Sequence, residues 1–169
     1  MLSKATAIHE FHAPTYPFRD ALRGMLFIGN PEDVREQTDG VLTREKDQSL
    51  ALQREFYERW DGSELQEIYK DFIDVVVEDM AEEPVYSQRV PSFRVHLPNN
   101  VGVGSWHRDG DFGHGPAEFN FWLPFTAAYG TNTVWVADES PLSVERAMLS
   151  VRATTRSSST RQICGTGSS

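Results

Sequence analysis

Cysteine is almost missing from this chain. Cys164 is the only one among 169 residues, so no disulfide can close within it, and the cytoplasm is the expected location. Long hydrophobic runs are missing as well. Nothing approaches the ~20 apolar residues of a membrane span, and the N-terminus lacks the apolar core of a secretory signal, so no membrane partner is expected. Basic residues are scarce: 16 Lys and Arg against 25 Asp and Glu leave a net charge of -9. That balance argues against a general nucleic-acid binder, whose surface needs cations to displace the counterions of phosphates. The last shortage is of histidine. There are five, and none follows His114.

What is present suits one domain with a buried core: 39% of residues are hydrophobic and 11% aromatic. No internal repeat is visible. The charge is divided unevenly, however. Residues 1–140 carry 12 basic and 24 acidic side chains, whereas residues 141–169 carry four Arg and one Glu. That last stretch has no aromatic residue and is mostly Ser, Thr, Arg and Gly after Val151, so its composition predicts a disordered tail. The break also admits a sharper reading, in which native sequence gives way near Ser140 to out-of-frame or substituted residues.

Two patterns divide residues 1–140. A mainly helical part is expected over 1–83. "FRDALRGMLF" suits a short helix, and in "LALQREFYERW" Leu52, Phe56 and Trp60 recur every four residues on one helical face. Ser63 and Gln66 have the spacing of a capping box opening the next helix, whose buried stripe is expected at Leu65, Ile68, Phe72 and Val76. From residue 84 the period becomes two. Phe93, Val95 and Leu97 share a face in "SFRVHLP", opposite Arg94 and His96. In "EFNFWLPF", Phe119, Phe121, Leu123 and Phe125 form an apolar face, while Asn120 and Trp122 lie on the other; "NTVWVAD" is a third strand. The class is therefore α+β, with helices packed outside an antiparallel sheet over 84–140.

The chemistry concentrates in "SWHRDGDFGH", residues 105–114. His107 and Asp109 form an H-x-D tripeptide, and residues two apart on an extended chain project to the same side. An imidazole and a carboxylate so placed can share a cation, and two His with one carboxylate are the ligands of non-haem Fe(II) oxygenases. The tripeptide alone leaves two readings open, a metal site or a polar turn. Asp111 and His114 add ligand density, but they also suit a turn that Gly110 and Gly113 make possible.

Residues 90–140, with H-x-D followed by "NFWLP" and "GTNTVWV", resemble the first half of the catalytic core of Fe(II)/2-oxoglutarate-dependent oxygenases. The likeness is closest to the streptomycin-biosynthesis oxygenase-like group near the phytanoyl-CoA hydroxylase family. It implies a double-stranded β-helix (a cupin-like jelly roll), with His107 and Asp109 as two iron ligands. Asn120 and Trp122 become candidates for contacting 2-oxoglutarate. The family couples decarboxylation of that keto acid to hydroxylation of a small metabolite by O2. Its second half should bring a distal histidine and a cation for the keto acid, but no histidine follows His114, and Arg146, Arg152, Arg156 and Arg161 show no strand-like context of the family's kind. The expectation is thus an incomplete jelly roll, a truncated member with little or no turnover. Unpaired sheet edges would favour self-association. The alternative is a non-catalytic jelly roll that binds a sugar or other metabolite.

Overall fold

In a computed structural model of the chain, the described residues are 10–34, 49–97, 118–127, 134–135, 143–144 and 149–155. Helix α1, Phe18–Leu26, buries Phe18, Ala21, Leu22 and Leu26, a spacing of three and four that makes one apolar face. Pro17 precedes it, and Phe27 closes it in the left-handed region (φ 52°). The amides of Phe27 and Ile28 there donate to the carbonyls of Gly24 and Arg23, satisfying two groups that the helix end leaves free. A short 3-10 turn, Pro31–Asp33, follows.

Helix α2, Ala51–Arg59, turns Phe56 inward, and Trp60, the residue that caps its C-terminal end, is also buried, with Leu52 half-buried on the same face. The expected four-residue periodicity is therefore the one that packs. Between α2 and the next helix, Gly62 adopts φ +77°, a conformation open to glycine at little cost. Helix α3, Glu64–Phe72, starts at Ser63, whose hydroxyl accepts the Gln66 amide at 3.1 Å. The reciprocal half of the expected capping box is displaced by one residue: Gln66 Oε1 accepts from Gly62 N–H at 2.9 Å, while the Ser63 amide donates to the Trp60 carbonyl.

The buried stripe of α3 also moves. Leu65, Tyr69, Phe72, Ile73 and Val77 are buried, whereas Ile68 and Val76 are only partly so. Ile73–Val77 form a π-helical turn leading into α4, Glu78–Ala81. A π turn inserts about one extra residue per turn, so Val77 occupies the inward position that uninterrupted α-helix would give to Val76.

The strands are β1 (Val85–Ser87), β2 (Ser92–Phe93), β3 (Glu118–Trp122), β4 (Val134–Trp135), β5 (Ser143–Val144) and β6 (Leu149–Thr155). Every pairing among them is antiparallel. Strand β6 is central. Ser150 is in register with Trp122 of β3 and with Ser92 of β2, and Thr154 with Glu118 of β3 and Tyr86 of β1. One flank of β6 therefore carries β3, and the other carries β1 and β2 end to end. Strands β4 and β5 form a separate pair.

Strands β5 and β6 lie within residues 141–169. Leu149, Val151 and Ala153 alternate with Ser150, Arg152 and Thr154, a period-two pattern that a count over 29 residues averages away. Arg152 lies on β6.

Aromatic side chains join the helices to the sheet. Phe56 stacks on Phe93 with ring centres 4.3 Å apart, Phe93 meets Phe125 edge-on at 6.2 Å, and Trp60 meets Tyr69 at 5.5 Å. Phe11, Tyr16 and Phe18 each pack edge-on against Phe72. Four helical side chains then take backbone groups of residues 85–93: Trp60 Nε1 donates to the Arg89 carbonyl (3.2 Å) and the Tyr69 hydroxyl to the Gln88 carbonyl (2.6 Å). Glu78 accepts the Val85 amide (3.0 Å), and the Tyr57 hydroxyl accepts the Phe93 amide (3.1 Å). Backbone polar groups that would be costly to bury unpaired are satisfied across the interface.

Candidate functional site

Among the residues expected to act, His107 and Asp109 lie outside the described residues, as do Asp111 and His114. Among the described residues, no three His, Cys, Asp or Glu stand together as a metal site. Asn120 and Trp122 are on β3, and their surroundings can be built up from the strand.

On β3 side chains alternate. Phe121 packs against the core, and the following Leu123 and Phe125 are buried within it. Asn120 and Trp122 therefore project from the opposite face of the sheet. Both are only half-buried as residues, yet Asn120 Oδ1 and Trp122 Nε1 are themselves hidden from solvent. The indole N–H of Trp122 finds no acceptor among the described residues. A buried donor without a partner costs about 1–3 kcal/mol, so the position suits an oxygen-bearing ligand. A keto-acid carboxylate would fit that donor. In register, Arg152 of β6 stands opposite Asn120, and Ser150 opposite Trp122. The described residues thus offer two polar side chains on β3, Asn120 and Trp122, and no metal ligand set.

Arg94 and His96 do not join this face. Past β2 the chain is irregular, and both residues line a pocket of about 100 Å³ on the helical side of the sheet. Its walls include Leu22 of α1, Leu52 of α2, Phe93 and Phe125. Beside it, the Glu32 carboxylate binds the guanidinium of Arg19 and accepts the Ala127 amide at 3.2 Å. These contacts, with that of Arg19 first, hold Glu32 below the usual carboxylate range. The tie joins the turn after α1 to the chain beyond β3. Sequence reasoning missed both the pocket and the tie: 95 residues separate Glu32 from Ala127, and no local pattern signals such a pairing.

Burial pushes the Tyr69 phenol up to about 12, with a hydrogen bond to Ser87 opposing part of that rise. Tyr69 serves the helix–sheet joint and stands outside the polar face of β3. No helix of the described residues is long and apolar enough to cross a membrane.

The chain is similar to the streptomycin biosynthesis protein StrG of Streptomyces griseus, with 49% identity over 129 residues. The match takes in 76% of this chain and 62% of the relative, so less than two thirds of the relative's length is represented. No protein-family model and no solved structure matches.

Proposed function

We propose that the chain is a biosynthetic protein of the non-haem Fe(II), 2-oxoglutarate-dependent oxygenase type, acting on a small metabolite. The likeness to a streptomycin biosynthesis protein over 129 residues carries the biosynthetic part of the reading. The oxygenase part is supported by H-x-D at 107–109 upstream of β3, and by a buried, unsatisfied indole donor on that strand's outward face. In this reading the antiparallel strands belong to a jelly roll with the helices outside it.

His107 and Asp109 would hold the iron, an imidazole and a carboxylate together being apt ligands for a ferrous ion. Iron with 2-oxoglutarate and O2, when bound, supplies the oxidising power for hydroxylating a C–H bond, the keto acid leaving as succinate and carbon dioxide. Trp122 donates its indole N–H to an oxygen of the keto acid, and Asn120 offers a second polar contact from the same face. Phe121, anchored in the core between them, restricts how far either can drift. Residues 115–169 contain no histidine, so this sequence presents two of the three ligands that the resemblance implies.

The test is anaerobic loading with ferrous iron and 2-oxoglutarate, followed by metal analysis after desalting and by carbon dioxide release from labelled keto acid in air. Retained iron should fall by more than about tenfold in His107→Ala and in Asp109→Ala, both still folded. Iron retention indifferent to both substitutions overturns the ligand assignment and leaves the non-catalytic metabolite-binding jelly roll as the reading.

A further inference from the structure

Two stretches far apart in the chain meet at the pocket between the helices and the sheet. Pro31 and Val34 line it from the 3-10 turn after α1, and Phe125 and Thr126 line it from the chain beyond β3. The Glu32 carboxylate, carried between Pro31 and Val34, reaches the next residue on the other side, accepting the Ala127 amide at 3.2 Å. The tie therefore joins the two stretches where both border the pocket. Behind them lie Leu22, Phe93 and Phe125, each at most 5% exposed, and an open space of about 100 Å³. Cores pack with few voids larger than a water molecule, so the packing under this polar tie is left incomplete.

The turn and its surroundings are fastened unequally. Upstream, the Gly29 carbonyl accepts from Arg23 Nε of α1 at 2.9 Å, and Leu22 and Leu26 anchor that helix in the core. The turn itself buries no residue. Its fastenings are polar: Arg19 binds both oxygens of Glu32 and the side chain of Asn30, and Asn30 Nδ2 donates to Asp33 Oδ2 at 3.2 Å. The Arg19 and Glu32 side chains are 44% and 35% exposed. Ion pairs so placed add little net free energy, because water screens them. A segment with few buried apolar contacts opens locally at much lower free energy than the core.

We infer that Glu32 is a latch: it holds the turn Pro31–Asp33 against the chain at 125–127, and its release lets the turn swing out and opens the pocket to solvent while the helices and sheet stay folded. The turn moves as one piece, since the Asp33 amide donates to the Asn30 carbonyl (2.9 Å) and the Val34 amide to that of Pro31 (3.4 Å). Asn30 and Val34, on either side of it, have extended backbone and can absorb the rotation, with Gly29 as the fixed end. No residue of the latch lies on the outward face of β3, so it stands whether or not the oxygenase reading does.

Thiol labelling with iodoacetamide tests this. In a Cys164→Ser background, Val95→Cys puts a thiol on the pocket wall, and Leu52→Cys does so from α2 should the first fail to fold. Glu32→Ala should speed labelling about tenfold, by removing a charge-assisted acceptor. Glu32→Gln, which keeps an acceptor for the Ala127 amide but loses the charge facing Arg19, should fall between. Glu67→Ala, which breaks a surface pair with Lys70 on α3, should leave the rate unchanged. Labelling should also depend on urea far more weakly than global unfolding does. A rate indifferent to Glu32→Ala, or raised as much by Glu67→Ala, overturns the inference. So does a urea dependence equal to that of global unfolding, since the thiol is then reached only in the unfolded chain. Labelling of the parent as fast as in the unfolded chain overturns it too, by showing a pocket that no latch closes.

Discussion

The two faces of the sheet treat polar groups in opposite ways. On the helical face, Tyr57, Trp60, Tyr69 and Glu78 each place a polar atom on a backbone group of residues 85–93, and rings fill the space between. On the other face, Trp122 hides an indole N–H that meets no acceptor among the described residues. The helical face pairs backbone groups of residues 85–93 as the chain folds, although Gln88 Oε1 in that segment is hidden with no hydrogen-bond partner among the described residues. A face that keeps a shielded donor open sacrifices a little stability and keeps the capacity to bind. The helical face is the framework, and the outward face of β3 is the place to look for chemistry.

That contrast can be broken by substitution. Phe56→Ala, which removes a wholly buried ring stacked on Phe93, should cost about 3–5 kcal/mol in thermal or urea unfolding, the largest effect expected. Tyr69→Phe leaves the Gln88 carbonyl without the hydroxyl donor and should cost about 1–2 kcal/mol. The same variant carries a pH signature. The folded phenol ionises at about 12 and the ordinary phenol at 10, so its contribution is complete below pH 10 and is lost as pH rises from 10 towards 12. Unfolding followed across that window should show a falling stability in the parent chain that is shallower in Tyr69→Phe. Ser63→Ala, which removes the cap on the Gln66 amide, should cost about 1 kcal/mol by the same measurement.

The outward face should answer differently. Trp122→Phe removes a donor that has no partner among the described residues, so stability should change by less than about 1 kcal/mol in either direction. Affinity for 2-oxoglutarate in the iron-loaded chain should nevertheless weaken. A large loss of stability with unchanged affinity would place Trp122 with the framework and erase the distinction between the two faces.

Much of the helical layer was legible in advance because helical burial is a local property. Leu52, Phe56 and Trp60 lie on one face by spacing alone, and Ser63 marks a helix start by its chemistry. The alternation in "EFNFW" likewise separates Phe121 from Asn120 and Trp122 before any partner strand is known. What failed was a reading that extrapolated. An unbroken α-helical period put Val76 where the π turn puts Val77. The H-x-D tripeptide was visible at once from the sequence, and His107 and Asp109 lie outside the described residues.

The sequence by itself determined which face of each helix is apolar, where α3 begins, and which residues of β3 are polar, since these follow from spacing and from the chemistry of neighbours within a few positions. Only the tertiary structure decided that β6 is the central strand, that Trp60 and Tyr69 end on the carbonyls of Arg89 and Gln88, and that Glu32 ties to Ala127. Each of these joins groups 19 or more residues apart. Such a contact depends on how the intervening chain packs, and no periodicity in either partner's own segment encodes it.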